Sequence, residues 1–307
     1  MNMRPLLFAG LVLAAAVAAA ADAPAGTCGA ERLRIGLISD IHIRGGADEP
    51  WLEEALRCLD ALKVDGVVAS GDLTDFGLRQ QLQIVADTWF RVFPGGQGSD
   101  GRPVENLMIY GDHDLAKHYW ERPEAKAVWP DESVRRSGAI FYNNPGRIWN
   151  DCFREPWAPI RHKTVKGCHF VLSHFAKQTY TPGLEEFFAT NRVETWGDVV
   201  FCVQHRPPRQ TALGWERPSQ EDGRSTALFS KHPNVFAIAG HCHRSCADAS
   251  CLWQGAFTSL QVPTLKEQRE GYLLRVCERA VVVERWNFKN GRKVGADWIV
   301  ETRRCGK

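Results

Sequence analysis

The sequence predicts an α/β protein with a parallel sheet at its centre, and three observations carry that expectation. Short apolar runs alternate with helical patterns over the first third of the chain. Each of the first three runs stops at an aspartate-bearing motif: Asp40-Ile41-His42, Gly71-Asp72 and Gly111-Asp112-His113-Asp114. Past Gly240 the pattern changes to closely spaced β-strands. Strand–helix–strand order implies parallel pairing with helices packed on the sheet. In such sheets ligands bind beyond the carboxyl ends of the strands, where all three motifs fall.

The elements follow in order. A basic start, Met1 to Arg4, leads into an apolar run from Leu6 to Ala21 closed by two Ala-x-Ala sites, Ala19-Ala20-Ala21 and Ala21-Asp22-Ala23. This reads as a signal peptide over 1–21, cleaved after Ala21 or Ala23. The run is short for a spanning helix, which needs roughly 20 apolar residues. No later stretch is long and apolar enough to span, so the expectation is an exported protein, periplasmic or extracellular. A single domain over 30–307 is expected to follow. Leu33 to Ser39 reads as a buried strand, and Pro50 opens a helix with Leu52, Leu56, Leu59 and Leu62 on one face. Gly66 to Ser70 is a second strand, and Leu78, Leu82, Val85 and Trp89 mark a second helix. Pro94 to Pro103 holds four glycines but no Gly-Lys-Ser/Thr, so it is a loop and not a phosphate-cradling P-loop. Val104 to Tyr110 is the third strand.

Residues 117–159, rich in Trp, Pro, Arg and Asn, read as a loop-rich insertion at the site mouth that sets specificity. Cys168 to His174, Val199 to Gln204 and Val235 to Ala239 read as further strands. Gly255 to Val262, Gly271 to Cys277 and Ala280 to Phe288 complete the β pattern, with turns at Glu278-Arg279 and Asn290-Gly291.

With 44% hydrophobic and 24% charged residues the chain is globular, and a net charge of +2 gives no nucleic-acid or anionic-membrane signal. A nuclease, which needs a basic groove, is therefore not indicated. Ten cysteines, all past the leader, permit disulfides in an exported chain. Cys246 and Cys251 bracket a short loop and can pair, and Cys28 and Cys305 can pin the termini. Cys58 and Cys202 read as small buried hydrophobes.

The motifs also carry chemistry. Asp-x-His sets a carboxylate beside an imidazole, donors that suit Zn, Fe, Mn or Ni better than Ca or Mg. Alone it is equally a polar strand end. Gly71-Asp72 supplies a carboxylate on a backbone free to approach closely. Gly240-His241-Cys242-His243 is more specific, because two imidazoles one residue apart can reach two adjacent ions. His205 follows the apolar run Val199 to Val203, as a ligand on a rigid strand would.

The ordered set resembles the calcineurin-like metallophosphoesterase family over roughly Leu33 to Arg244, with all five motifs in family order. The resemblance implies a four-layer αββα sandwich whose second sheet is formed largely by the C-terminal strands. It implies two divalent transition-metal ions, Mn, Fe, Zn or Ni. One would take Asp40, His42, Asp72 and His243; the other Asp72, Asp112, His205 and His241. His205 fits the family's isolated ligand better than His174, because its strand runs into Arg206-Pro207-Pro208. Gly71-Asp72-Leu73-Thr74-Asp75 is most similar to the cyclic-nucleotide phosphodiesterase branch. Asp75 stands where purple acid phosphatases carry a tyrosine ligand, so no iron–tyrosinate chromophore is expected.

The implied activity is hydrolysis of a phosphodiester or phosphomonoester, with a small phosphate ester as substrate. A hydroxide bridging the ions would be the nucleophile and His113 the general acid, with Asp114 orienting its imidazole and raising its pKa. Asp112 departs from the family, where Asn is usual. Two ions contribute about +4, three carboxylates about −3 and a hydroxide about −1, leaving roughly zero where an Asn centre keeps about +1. Arg44, Lys117, Arg206 and Arg244 are placed to compensate, although each alone reads as a solvated surface charge. His118 is close enough in sequence to touch substrate, and Trp120 and Trp149 are candidates to stack on a base or sugar. The competing reading is a catalytically impaired relative that binds metal, phosphate or a protein partner. Oligomeric state has no signal in the sequence.

Overall fold

A computed structural model describes residues 28–45, 50–116, 118–176, 180–213 and 223–302. The leader at 1–21, Lys117 and Cys305 lie outside the described residues. The apolar run at Leu33 forms β1 (Glu31–Ile38), and Pro50 opens α1 (Pro50–Ala61), which buries Leu52, Ala55, Leu56 and Leu59. β2 (Gly66–Ala69) is buried throughout, and α2 (Arg79–Val92) buries Leu82, Val85 and Trp89. The Gln81 side chain starts α2 by accepting from the Phe76 and Leu78 amides at 3.0 and 3.3 Å.

The third strand is regular only over β3 (Glu105–Asn106), yet the Leu107 and Ile109 amides still donate to Val67 and Ala69, both at 3.0 Å. On its outer edge, among the described residues, no strand pairs with it. There Met108 donates to Asn106 Oδ1 and Tyr110 to His174 Nδ1, both at 3.0 Å. α3 (Asp112–Leu115) follows at once.

The expected loop-rich insertion is a set of short helices: α4 (Pro123–Val128), α5 (Glu132–Gly138) and α6 (Pro145–Phe153). The polar composition that reads as loop is capping chemistry. Pro123 and Pro145 occupy first-turn positions, where the missing amide costs nothing, and the Asp131 and Asn144 side chains accept from the first-turn amides. Trp149 is fully buried and Trp120 nearly so, which removes both as stacking platforms.

β4 (Ile160–Val165) has no counterpart among the expected strands. It forms a hairpin with β5 (Cys168–Ser173) through Lys166-Gly167, both at positive φ. α7 (Leu184–Asn191), β6 (Val200–Val203), α8 (Gly223–Phe229) and β7 (Val235–Ala239) come next. The chain then forms β8 (Leu252–Gln254), β9 (Thr258–Gln261), α9 (Leu265–Gln268), β10 (Glu270–Cys277), β11 (Ala280–Asn287), β12 (Arg292–Lys293) and β13 (Trp298–Glu301).

Among the described residues one sheet runs β12-β11-β10-β1-β2-β3, with β13 also on β11, and the other runs β4-β5-β6-β7-β9-β8. Of the C-terminal strands, β8 and β9 join the second sheet, whereas β10 to β13 extend the first. The reason is the open edge of β1, which β10 covers antiparallel from Glu31 opposite Cys277 to Leu37 opposite Tyr272. Ile35, Leu37, Val68 and Leu274 of one sheet pack against Phe170, Phe201, Ile238 and Leu260 of the other. Helices α1, α2 and α6 cover the outer face of the first sheet, and α7 and α8 that of the second. This is the four-layer αββα sandwich. All nine described cysteines are free thiols; Cys246 and Cys251 are both buried and unbonded, and Cys28 packs against Cys277.

Candidate metal centre

Five strand ends, three from one sheet and two from the other, deliver the expected residues to one place. Their loops interlock through the backbone. The Asp40 amide donates to Gly71 O at 3.1 Å, and the Ile41 and His42 amides both donate to Asp72 O at 2.9 Å. From the second sheet, the Gly240 amide donates to His205 O at 2.8 Å, and the His241 amide to Asp40 Oδ2 at 2.9 Å.

The backbone pays for this convergence in conformation. Asp40, His42, Asp72, His241 and His243 all have positive φ, between 49° and 81°. A side chain in that region costs roughly 1–2 kcal/mol per residue, so five of the seven candidate ligands sit in strained backbone. The inter-sheet core offsets the cost, since burying one Val, Leu, Ile or Phe contributes about 1.5–3 kcal/mol. Two glycines are required for a different reason, close approach. A Cβ on Gly71, at φ 103°, would lie 2.5 Å from His205 Nδ1, and one on Gly111 would collide with the Asp72 amide and carboxylate.

The side chains form two overlapping sets. In the first, His243 Nε2 lies 3.2 Å from both Asp40 Oδ1 and His42 Nε2, and His42 Nε2 lies 3.7 Å from Asp72 Oδ2. In the second, His205 Nε2 lies 3.2 Å from Asp72 Oδ2 and 3.3 Å from Asp112 Oδ1, and His241 Nδ1 lies 3.9 Å from Asp112 Oδ2. Asp72 belongs to both. The two sets fit a cation pair on two observations. His205 Nε2 and Asp112 Oδ1 are buried with no hydrogen-bond partner, which is costly unless something else satisfies them. Asp40-His42-His243 and Asp112-His205-His241 each bring one donor atom apiece within 4.8 Å of one another.

The carboxylates and imidazoles of the two sets shift one another's proton affinities. Burial, reinforced by Asp112 and opposed by His205, pushes Asp72 up to about 7. Burial works against a charged His205, yet Asp72 and Asp112 hold it well above the ordinary histidine range. Burial likewise opposes His243, but Asp40 and Glu267 push it up to about 10. His241 goes the other way, down to about 3, through burial and the neighbouring His205.

Asp112 is not bare. Arg206 Nη2 donates to its Oδ2 at 2.7 Å, and the two side chains are only 16% and 8% exposed. Arg206 is therefore no solvated surface charge: it returns the unit of positive charge that Asp in place of Asn removes. Arg44 is spoken for by Asp75, at 2.7 Å.

His113 lies beside the sets, its ring edge-on to His42 and stacked on Tyr119 with centroids 3.9 Å apart. The expected Asp114–His113 pairing is absent. The buried Asp114 carboxylate accepts instead from the amides of Leu73, Thr74 and Gly111 and from Thr74 Oγ1, at 2.7–3.1 Å. Three backbone donors close by outcompete one ring, so Asp114 ties two site loops together. His113 Nδ1 faces the Asp75 backbone oxygen at 2.9 Å. Nor is its pKa raised: burial and then His42 push it down to about 4.

Two carboxylates to which the sequence assigns no role at the site support the candidate ligands. Asp75 Oδ1 lies 3.2 Å from His42 Nδ1, and Glu267 Oε2 lies 3.4 Å from His243 Nδ1. Asp75 was visible within the Gly71 motif; Glu267, on α9, carries no motif. His174 is a structural residue, accepting the Tyr110 amide and held neutral by burial, which drives its pKa well below 6.5.

The sequence model of the calcineurin-like phosphoesterase family matches residues 33–245. No curated protein matches the chain significantly. Among solved structures, a dimetal phosphatase of Danio rerio is similar, with TM-score 0.52 and 12% identity, covering 89% of this chain and 100% of that one. A purple acid phosphatase from yellow lupin, Lupinus luteus, has TM-score 0.56 and 10% identity over 88% of this chain; the match spans about half of that protein, 54%. GAP50, the anchor in the inner membrane complex of Plasmodium, has TM-score 0.50 and 12% identity, covering 89% of this chain and 90% of that one. At these identities the likeness is one of fold.

Proposed function

The chain belongs to the calcineurin-like phosphoesterase family, a hydrolase class acting on phosphoric esters, and on that premise we propose an exported dimetal enzyme whose metal sites share Asp72. The observation that supports two ions is the pair of donor sets meeting at that carboxylate, with His205 Nε2 and Asp112 Oδ1 left buried and unsatisfied. Asp40, His42, Asp72 and His243 would hold one ion, and Asp72, Asp112, His205 and His241 the other. When bound, the ions supply Lewis acidity to the phosphoryl oxygens and lower the pKa of an attacking water.

The chain's own residues do the rest. The Asp75 carbonyl only accepts, so His113 Nδ1 carries a hydrogen, and Nε2 is the atom that gains and releases the catalytic proton. Protonated there, His113 donates to the departing alkoxide. At a pKa of about 4 the imidazolium is a minor form at pH 7, and a bound phosphate anion beside it would raise that fraction. Arg206 keeps Asp112 in place and keeps the centre attractive to an anion.

The test is elemental analysis of the purified protein, with turnover of bis(p-nitrophenyl) phosphate and p-nitrophenyl phosphate after loading with Mn, Zn, Fe or Ni. Two ions per chain and hydrolysis of either ester support the reading. Two ions with no hydrolysis would favour the second one, an impaired relative that binds without turnover, to which Asp112 in place of Asn lends support. Export rests on the apolar leader alone; a mature N-terminus at residue 22 or 24 in a secreted fraction is its check.

A further inference from the structure

One cavity adjoins the candidate metal centre, and a second lies beside the first. The nearer, about 410 Å³, has Asp112 and Arg206 in its wall beside His118 and Tyr119. The farther, about 450 Å³, lies next to it and shares three lining residues, Leu115, Phe141 and Phe175. Each is the size of a small-molecule site, which typically spans about 300–1,000 Å³. The farther cavity is walled by Pro145, Trp157 and Pro182 as well, and no Lys, Arg, Asp or Glu lines it among the described residues. Its one titratable group, His174, is held neutral.

The chemistry thus changes from one cavity of this cleft to its neighbour. Charge is confined to the metal end, where Arg206 pairs with Asp112 while its guanidinium lies 5.3 Å from the Phe175 ring centre. Beyond that ring, among the described residues, no charged side chain lines the cavity to balance a phosphate. Among the same residues, Trp157 Nε1 and His174 Nε2 are the only unpartnered side-chain polar atoms in its wall. They are too few to compensate the lost hydration of a polyhydroxylated group, which costs free energy when buried without partners. A half-buried aromatic pair, Phe141 and Phe175, offers apolar contact instead. Phe141 and Pro145 come from residues 117–159, the segment whose place at the site mouth suggests a role in specificity.

We propose that this cleft is the subsite for the alcohol portion of the substrate, and that the enzyme takes phosphate esters of an apolar alkyl or aryl alcohol in preference to those of a sugar. The proposal rests on the phosphoesterase reading of the adjoining centre. Calorimetry on the Mn-loaded full chain with two non-hydrolysable probes, n-hexylphosphonate and methylphosphonate, separates the two claims because the probes share a head group. The hexyl probe is expected to bind tighter by about tenfold or more, a fraction of what five fully buried methylenes would give. In Phe175→Ser and Phe141→Ser the ratio should fall towards about threefold. Equal affinity of the two probes for the wild-type protein overturns the proposal while leaving the phosphoesterase reading intact. Failure of both to bind overturns the two together. Should either variant fold poorly, the wild-type ratio decides alone.

Discussion

Replacing Arg206 by Gln leaves the Asp112 charge at the metal centre without its counter-charge. The guanidinium meets Asp112 Oδ2 at 2.7 Å, and both side chains are largely shielded from water. With two ions, three carboxylates, a hydroxide and Arg206, the centre carries about +1; without Arg206 it falls to roughly zero. At roughly 6 Å from the phosphoryl group and an effective dielectric between about 20 and 80, one lost charge costs about 0.7–2.8 kcal/mol. That is a factor of about 3 to 100 in kcat/KM for an anionic diester. Asp112→Asn acts with the opposite sign: it retains both ions and keeps or raises turnover. The double variant, Asp112→Asn with Arg206→Gln, restores the net charge and should return to within about threefold of wild type. The assay is kcat/KM for bis(p-nitrophenyl) phosphate, with metal content measured in each variant. A double variant as slow as Arg206→Gln alone, with both ions present, would refute the charge argument. Loss of both ions in Asp112→Asn would refute the equivalence of Asp112 and Asn.

Three further outcomes follow from the geometry. Asp114→Ala strips one carboxylate from four donors, and at about 1.5–3 kcal/mol for a hydrogen bond to a charged group the variant should lose at least about 3 kcal/mol in urea unfolding; a loss below about 1 kcal/mol would mean the loops do not depend on it. His113→Ala should cut kcat by about 10²–10⁴ for alkyl esters but much less for p-nitrophenyl esters, whose leaving group needs no proton, with metal content unchanged; equal losses on both would remove its role as acid. Loading metal at pH 7 should release protons, because the elevated pKa values of His205 and His243 hold them protonated there and a bound ion requires the free imidazole. Calorimetry in buffers of different ionisation enthalpy reads this directly, with about two protons expected from this pair; no buffer dependence would place the ions elsewhere.

The parts of the fold legible in the sequence are those with local periodicity. β1, α1, β2 and α2 lie where apolar spacing placed them, because the helices bury one apolar face on the sheet while the strands, buried on both faces, read as short apolar runs. The insertion at 117–159 was misread because Pro, Asp and Asn begin helices as readily as they fill loops, and only the following turn shows which. β4 was missed because its alternation is carried by Arg161 and polar residues, not by a run of aliphatics. The C-terminal hairpin was assigned to the wrong sheet, since which strand edge it covers is a matter of what remains open after the rest has packed.

For the site the division is similar. Residue order placed Asp40, Asp72 and Asp112 at the carboxyl ends of one sheet's strands, where ligands bind, and the family resemblance that the order carries joined His42, His205, His241 and His243 to them. Tertiary structure alone decided what surrounds them. It turned Asp114 away from His113 to tie two loops, set Arg206 on Asp112, brought Glu267 to His243, and placed five candidate ligand residues in left-handed backbone. Those facts depend on contacts between segments far apart in sequence, and neither composition nor spacing encodes which donor lies nearest a buried carboxylate once the loops have closed.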